Sequence, residues 1–355
     1  MPLRAFIYGV ETIAPLLSQE EWSRIKNKRD REVKLACCNA SGHLRRSKLG
    51  TQHFVHSRKK ECDWKPETVQ HLQAKALVAI ACSQMGYTVQ TEASGSGWRA
   101  DVLAIKQGTH SQIKLAFEIQ WSPQTLEVTE ERQAKYTRDG IRCCWLFRKL
   151  PNSEERADLP MFQLALKENN QLNVIYREIY IPLSDFVKDL LSKHIKFCNA
   201  YRFKPVQQVK IVFLETLCWK CRKLHNIYYV ENPYLSCCGN ELDNFRFNGS
   251  DLPEIEFRAE IITAVNNYLQ TPEGQKLHVG RIKKRYSKTL NSSYLSFGCP
   301  WCDAIVGQHY VGEIIMEAFY DDRIKPVWET TVDVPLIRVK GCPHWCYSTE
   351  GNFCD

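Results

Sequence analysis

Three carboxylates fall where divalent-metal phosphodiester chemistry would need them. Glu92 closes one strand-like stretch, Asp101 lies in the next (Arg99-Ala100-Asp101-Val102), and Glu118 lies in a third (Phe117-Glu118-Ile119-Gln120). Adjacent strands can bring Asp101 and Glu118 to one sheet edge, where like charges repel unless a cation sits between them. Hard oxygen donors suit Mg²⁺ or Mn²⁺, which keep positions open for water and phosphate oxygens. Such an ion lowers the pKa of bound water and stabilises the charge that develops during cleavage. Gln120 is two residues from Glu118 and points the same way on a strand. It is placed to orient water or hold a phosphate oxygen, but it lacks the charge a Lys would bring. Lys75 is the candidate for that charge. It shares a helical stripe with Glu67 and His71 at four-residue spacing.

A second chemistry is written in the 16 cysteines. In a chain expected to be cytoplasmic, thiols stay reduced, so metal ligation is the expected use. Cys218-Trp219-Lys220-Cys221 and Cys299-Pro300-Trp301-Cys302 are two Cys-x-x-Cys knuckles. Together they supply four thiolates for a tetrahedral structural Zn²⁺, and the long insertion between them is tolerable because loop-closure entropy grows slowly. Strand-like sequence follows each knuckle, at Ile227 to Val230 and at His309 to Gly312. Cys237-Cys238 is the alternative completion of the first knuckle, but adjacent cysteines chelate one metal poorly, which favours the two-knuckle pairing. Cys342, His344, Cys346 and Cys354 form a tail cluster for which a second zinc, borrowing Cys237 or Cys238, is one reading. Nearer the start, Cys38, His53, His56 and Cys62 have the types for a further zinc site, with Cys38 preferred over Cys37. His53 and His56, three apart, serve one metal if the chain is locally helical or turned. The competing reading is a small basic β-element whose histidines face phosphate or solvent. Cys82, Cys143 and Cys144 sit in apolar runs and read as small buried hydrophobes.

Charge points to a polyanion. Net charge is +8, yet twelve Lys/Arg against Asp30 and Glu32 between Arg24 and Lys60 give that stretch +10, leaving about −2 elsewhere. Basic side chains that meet phosphates release condensed counterions, so a block of this density marks a nucleic-acid surface. Arg45, Arg46, Lys48, Arg58, Lys59 and Lys60 are its candidate contacts, with Arg281, Lys283, Lys284 and Arg285 as a second basic stretch. A solvated charged face is the plainer alternative.

The elements that must position these groups can be read from periodicity. Leu3 to Val10 reads as a strand and Gln19 to Arg31 as a helix capped by Ser18. A helix follows Pro66-Glu67-Thr68 as far as Met85, with Val69, Leu72, Ala76, Ala79 and Ile80 on its apolar face. Three strands follow (Tyr87 to Ala93, Arg99 to Ile105, Ile113 to Gln120), then a helix (Leu126 to Arg138) and a strand (Arg142 to Arg148). Arg132, Gln133 and Tyr136 share one face of that second helix. They are candidates to position a backbone phosphate or support metal ligands, or else to bond the helix into the domain. Leu183 to Lys193 reads as a helix, and Val209 to Glu215 opens the cysteine-rich second half.

As an ordered set these residues resemble the competence protein CoiA-like nuclease family. The strings are His53-Phe54-Val55-His56, Glu67-Thr68 with His71 and Lys75, Thr91-Glu92, Ala100-Asp101-Val102 and Glu118-Ile119-Gln120-Trp121-Ser122. Arg132-Gln133-Ala134-Lys135-Tyr136 and Trp145-Leu146-Phe147-Arg148 fit the same family, so the resemblance covers roughly Leu35 to Leu150. It implies a bacterial protein with a restriction-endonuclease-like, PD-(D/E)XK core that acts on DNA. Asp101 and Glu118 would be metal ligands, Gln120 would replace the usual Lys, and Glu92 would complete the acidic site. The helix with Arg132, Gln133 and Tyr136 resembles the Gln/Tyr helix of several nucleases in the wider superfamily.

The expected fold is α/β: a restriction-endonuclease-like mixed sheet flanked by helices, with an N-terminal Cys/His element and a C-terminal zinc-ribbon domain. The expected boundaries are 1–63 for the basic Cys/His element, 64–152 for the nuclease-like core, 153–210 for a helical connector and 211–355 for the ribbon-bearing domain. Hydrophobic residues at 44% and charged residues at 25% exclude a disordered or fibrous chain. Ala76 to Cys82, the longest strongly apolar run, is too short to span a bilayer, which takes roughly 20 residues. Arg4 and Glu11 break the apolar residues near the start, so no secretory signal is expected. The functional expectation is an Mg- or Mn-dependent deoxyribonuclease of bacterial competence, recombination or antiphage defence, working on DNA with a protein partner in the same complex. The alternative is a non-catalytic DNA-binding factor that keeps the fold as a surface.

Overall fold

The structure is a computed structural model that describes residues 2–57, 62, 67–109, 111–177, 179–202, 207–231, 234–238, 241–242, 255–320, 326–334 and 338–354. The chain divides into two compact units, Met1–Phe197 and Cys198–Asp355.

In the first unit, the expected opening strand is a hairpin of β1 (Arg4–Ile7) and β2 (Val10–Ile13). Tyr8 and Gly9 both take positive φ between the strands, the geometry of a tight hairpin turn that glycine tolerates without strain. Helix α1 (Gln19–Asn27) starts with a reciprocal capping box between Ser18 and Glu21. Next come β3 (Val33–Leu35), which pairs with β1, and the hairpin β4 (Gly42–Arg46) with β5 (Gln52–His56). Trp22, Phe54, Leu35 and Leu44 form the small core beneath them.

Helix α2 (Val69–Gln84) begins at Thr68, whose side chain accepts from the His71 amide, and buries Leu72, Ala76, Val78 and Ala79. It packs against β6 (Thr88–Ser94), β7 (Arg99–Gln107) and β8 (Gln112–Gln120). Helix α3 (Leu126–Arg138) links β8 to its parallel neighbour β9 (Arg142–Phe147). Tyr136 of α3 packs with Trp145 and Phe147 of β9 and with Ala100 and Leu103 of β7.

The sheet does not stop at β9. Residues expected to form part of a helical connector supply β10 (Met161–Leu166), β11 (Leu172–Tyr176) and β12 (Ile179–Pro182), giving the seven-stranded order β12-β11-β10-β9-β8-β7-β6. Phe162 and Leu164 alternate with less buried neighbours, the period of a half-buried strand. Asn170, at positive φ, turns the chain into β11. Among the described residues of that stretch, only α4 (Leu183–Leu191), which packs on α2, answers the helical expectation.

The second unit opens within β13 (Ile195–Arg202), and its core is a three-stranded sheet. There β14 (Gln207–Leu217) lies between β15 (Leu224–Val230) and a later strand, β20 (Trp328–Val334). Short strands β16 (Tyr234–Leu235) and β17 (Glu241–Leu242) follow β15. Helix α5 (Ala259–Tyr268) covers the sheet with Ile261 and Val265 against Ile211, Phe213 and Tyr228. The hairpin β18 (Lys283–Ser287) with β19 (Ser292–Ser296) leads to the second knuckle. His309 to Gly312, expected as a strand, lies inside α6 (Gln308–Tyr320). Val311 and Ile314 are buried three residues apart, which is a helical spacing. The last strand is β21 (Arg338–Tyr347), paired with β13.

The architecture is therefore mixed α/β, with a central mixed sheet and helices against it. Among the described residues no helix is long and apolar enough to cross a membrane.

Candidate active site and cysteine clusters

Three strands part company at the acidic residues. The β6–β7 register pairs Thr91 with Val102 and Ala93 with Ala100, which sets Glu92 opposite Asp101 without a ladder pair between them. The β7–β8 ladder ends at Val102 and Phe117, so Asp101 and Glu118 stand opposite each other one step beyond it. Asp101 fills the gap itself: its Oδ2 accepts from the Ile119 amide at 2.9 Å. A carboxylate that satisfies the neighbouring strand's backbone holds the sheet open at this point.

Each carboxylate has its own setting. Asp101 also meets His71 Nε2 at 3.3 Å. Burial pushes the Asp101 carboxyl upward, but the His71 hydrogen bond, the charge of Lys75 and the Ile119 amide outweigh it and hold the pKa below the usual range. The same pair acts on His71. Burial disfavours its cation, and the Asp101 hydrogen bond with the charges of Asp101 and Glu67 raise it overall. Glu118 is nearly inaccessible, accepts from the Tyr136 hydroxyl and lies 2.6 Å from the Arg132 guanidinium. Burial, then repulsion from Asp101, pushes the Glu118 pKa up to about 7 against the pull of Arg132 and Tyr136.

Glu92 is turned elsewhere. Its Oε1 accepts from Lys75 Nζ at 2.7 Å and from the Leu3 amide at 3.4 Å, and its carbonyl accepts from Arg4. Its φ is +51, a left-handed conformation that costs a non-glycine residue about 1–3 kcal/mol and persists only where surroundings enforce it. Lys75 is fully buried and also donates to Glu67 at 2.9 Å. Burial opposes its charge, yet Glu92, Asp101 and Glu67 together keep the ammonium pKa above its ordinary value. The acids thus form a facing pair, Asp101 and Glu118, flanked by a buried ion cluster of Glu67, Lys75 and Glu92.

Helix α3 braces the Glu118 side. Arg132 bonds Gln120 at 3.2 Å and Gln124 at 2.9 Å, and its guanidinium lies over the Trp145 ring. Gln133 accepts from the Trp145 indole at 2.8 Å. Arg132, Gln133 and Tyr136 are therefore all bonded towards the sheet.

Residues 67–218 match the family model for the nuclease-like domain of the competence protein CoiA. Over that range the chain is similar to the CoiA nuclease-like domain. No curated protein matches the chain. The CoiA-like match opens at Glu67, the first carboxylate of the buried ion cluster, and takes in every residue of the acidic site.

Among the described residues, three groups of cysteine and histidine apart from the acidic residues each hold their ligand atoms within 4.8 Å of one another. Cys218, Cys221, Cys299 and Cys302 form the expected ribbon set, with Cys218–Cys302 and Cys221–Cys299 sulfur separations of 3.6 Å. A tetrahedron with bonds of about 2.3 Å has edges of about 3.8 Å, so the spacing suits zinc. The two knuckles are built alike. Arg222 and Asp303, each just after the second cysteine, take positive φ and donate their amides to the carbonyls of Cys218 and Cys299. Trp219 and Trp301 reach across to the carbonyls of Ile305 and Leu224. Burial raises the Cys218 thiol, but the backbone amides of Cys221 and Lys220 bring it down to about 6, favouring thiolate.

The N-terminal group is Cys37, Cys38, His56 and Cys62. Here the sequence reading is corrected: His53 is absent and Cys37 takes the place. Residues three apart on β5 face opposite sides, so His56 approaches Cys38 at 3.2 Å while His53 turns inward, buried and bonded to the Thr51 carbonyl. The third group is Cys238, His344, Cys346 and Cys354. Of the two adjacent cysteines, Cys238 is the one that joins.

Of the basic candidates, Arg45, Arg46 and Lys48 are exposed on and beside β4, with Arg46 bonded to Gln19. Arg58, Lys59 and Lys60 lie outside the described residues. Arg285 is buried behind the second knuckle, donating to the carbonyls of Ser296 and Arg281 and to Asp303, which also pairs with Lys283. Arg285 and Lys283 are thus tied to the second knuckle through Asp303, whereas Arg281 and Lys284 are exposed. Sequence reasoning missed Cys37 and the Arg132–Glu118 ion pair. It placed His71 on the right stripe without giving it Asp101 as partner.

Proposed function

We propose that this chain is a divalent-metal-dependent deoxyribonuclease acting in bacterial DNA processing such as uptake, recombination or defence. The observation that carries this reading is the facing pair Asp101 and Glu118 at the point where the strands separate. Their hard oxygen donors fit Mg²⁺ or Mn²⁺. When bound, such an ion would supply an activated water and offset charge on the phosphate.

The residues around it divide the work. Asp101, kept ionised by His71 and by the charge of Lys75, is a ready anionic ligand. Glu118 becomes one on losing its proton, with Tyr136 and Arg132 fixing its orientation. With an ion held by Asp101 and Glu118, Arg132 would be able to turn from Glu118 towards a phosphate oxygen, for which a planar guanidinium is well shaped. Gln120, held by Arg132, aligns the same phosphate or the attacking water. Lys75 contributes through its field, because Glu67 and Glu92 hold it in place. Glu92 positions Lys75 and is not a metal ligand. Zinc at the ribbon and at the N-terminal cluster is structural, since four protein ligands leave no open position.

A non-catalytic DNA-binding role is the second reading, favoured by the Arg132–Glu118 ion pair and by Gln120 where a cation is usual. Cleavage of plasmid and single-stranded DNA with Mg²⁺ or Mn²⁺ separates the two. Asp101→Ala and Glu118→Ala are each expected to slow cleavage by roughly 100-fold or more, the rate equivalent of several kcal/mol. Equal DNA loss in wild type and both variants would signal a contaminant and favour the binding reading.

A further inference from the structure

We propose that Cys238, His344, Cys346 and Cys354 bind one structural zinc ion, separate from the ribbon zinc, that fastens the C-terminal tail to the second unit. All four are grouped within 4.8 Å of one another, ligand atom to ligand atom; His344, Cys346 and Cys354 are buried and Cys238 is half-buried. Cys238 Sγ lies 3.7 Å from His344 Nε2 and 3.6 Å from Cys354 Sγ, close to the edges of a zinc tetrahedron. Three soft sulfurs and an imidazole select zinc over the hard cations suited to the carboxylate site.

The backbone explains the convergence. His344 and Cys346 are two apart on β21 and so project to one side of the strand. Tyr201 stacks on the His344 ring with centroids 3.9 Å apart, fixing the imidazole plane. Cys238 follows the short strand β16, where the Cys237 amide donates to the Arg202 carbonyl at 2.7 Å. Cys354 arrives from the tail. The ion would thus tie the segment at Cys238 to β21, far away in sequence, and to the tail just beyond β21, and each loop it closes removes freedom from the unfolded chain. Cys198 packs against this group but stands outside the ligand set. A disulfide would need sulfurs about 2.05 Å apart, well inside the observed separation.

The set is independent of the nuclease reading, because none of its members lies in the acidic site. The test uses the full chain purified under reductant. Zinc content is expected to fall by one ion per chain in His344→Ala and in Cys354→Ser, and to stay unchanged in Cys198→Ala. Cobalt(II) loaded in place of zinc is expected to give a wild-type minus His344→Ala difference spectrum of tetrahedral type with three sulfurs and one nitrogen. His344→Cys is expected to restore the ion and move the bands towards four sulfurs. Should a variant misfold, wild type alone still decides: a chelator, without denaturant, is expected to open Cys238, Cys346 and Cys354 to alkylation together. Unchanged zinc in both ligand variants, zinc loss from Cys198→Ala, no chelator effect on those three thiols, or a Cys238–Cys354 disulfide in acid-quenched reduced lysate would each overturn the site.

Discussion

Glu118 carries the clearest conflict between charge and burial. It is paired with Arg132 at 2.6 Å, yet its pKa rises to about 7 because desolvation and the facing Asp101 exceed that attraction. The sign of the linkage follows. Between about pH 4.5, the ordinary value, and pH 7 the folded protein keeps a proton that the unfolded chain has released. Stability therefore falls as pH rises through that window and levels off above it, by about 3 kcal/mol in total. Without added Mg²⁺ or Mn²⁺, hydrogen exchange of the β8 and β9 amides, corrected for intrinsic rate, is expected to show this loss between pH 5 and pH 8. In Glu118→Gln the slope attributable to this group disappears. An identical pH profile in the variant would assign the shift to another residue. Asp101 behaves oppositely. Its depressed pKa lends stability above pH 3.8 that is lost as pH falls through the folded value, below the window used for Glu118.

At the scale of elements, much of the site was legible because strands have a fixed period. Alternation placed Asp101 and Glu118 on neighbouring strands, and the Glu67-His71-Lys75 stripe placed Lys75 on the face that meets them. What period could not show was where a local conformation breaks the rule. Glu92 leaves the strand region at φ +51, so its carboxylate serves Lys75 instead of the facing acids. His53 and His56 would have shared a metal on a turn, but a strand separates them. Residues 161–176 join the sheet because alternation and an Asn turn outweigh their polar flanks. The ribbon was legible from spacing alone, but not the close backbone packing behind it. A Cβ on Gly280 would fall 1.7 Å from the Gly298 carbonyl oxygen, and one on Gly298 would fall 2.1 Å from the Arg285 guanidinium. Gly280→Ala is therefore expected to destabilise the second unit by at least about 2 kcal/mol and to speed zinc loss to a chelator. Gly312→Ala, in open space on α6, is the contrasting case and should stabilise by up to about 1 kcal/mol. Equal zinc retention in both variants would show that the Gly280 backbone can yield.

Across the whole molecule, charge is the property no single element carries. The stretch from Arg24 to Lys60 holds a net +10 while the rest of the chain is near −2, so an approaching polyanion is drawn to one part of the sequence. Exposed Arg45, Arg46 and Lys48 on and beside β4 make that attraction testable. Each phosphate contact contributes about −0.9 to the slope of log K against log salt on duplex DNA. Replacing all three with Ala is expected to flatten that slope by roughly 2–3 and to weaken binding of unrelated sequences equally. Replacing Arg281 and Lys284, exposed in the second unit beside the Arg285 buttress, is expected to change the slope less, because two charges are removed instead of three and Asp303 already pairs with the neighbouring Lys283 and Arg285. Binding measured by fluorescence anisotropy at several salt concentrations, with Asp101→Ala as background to prevent cleavage, reads the difference directly. If the triple variant kept the wild-type slope, the basic stretch would be a solvated surface, and DNA would have to reach Asp101 and Glu118 without its help.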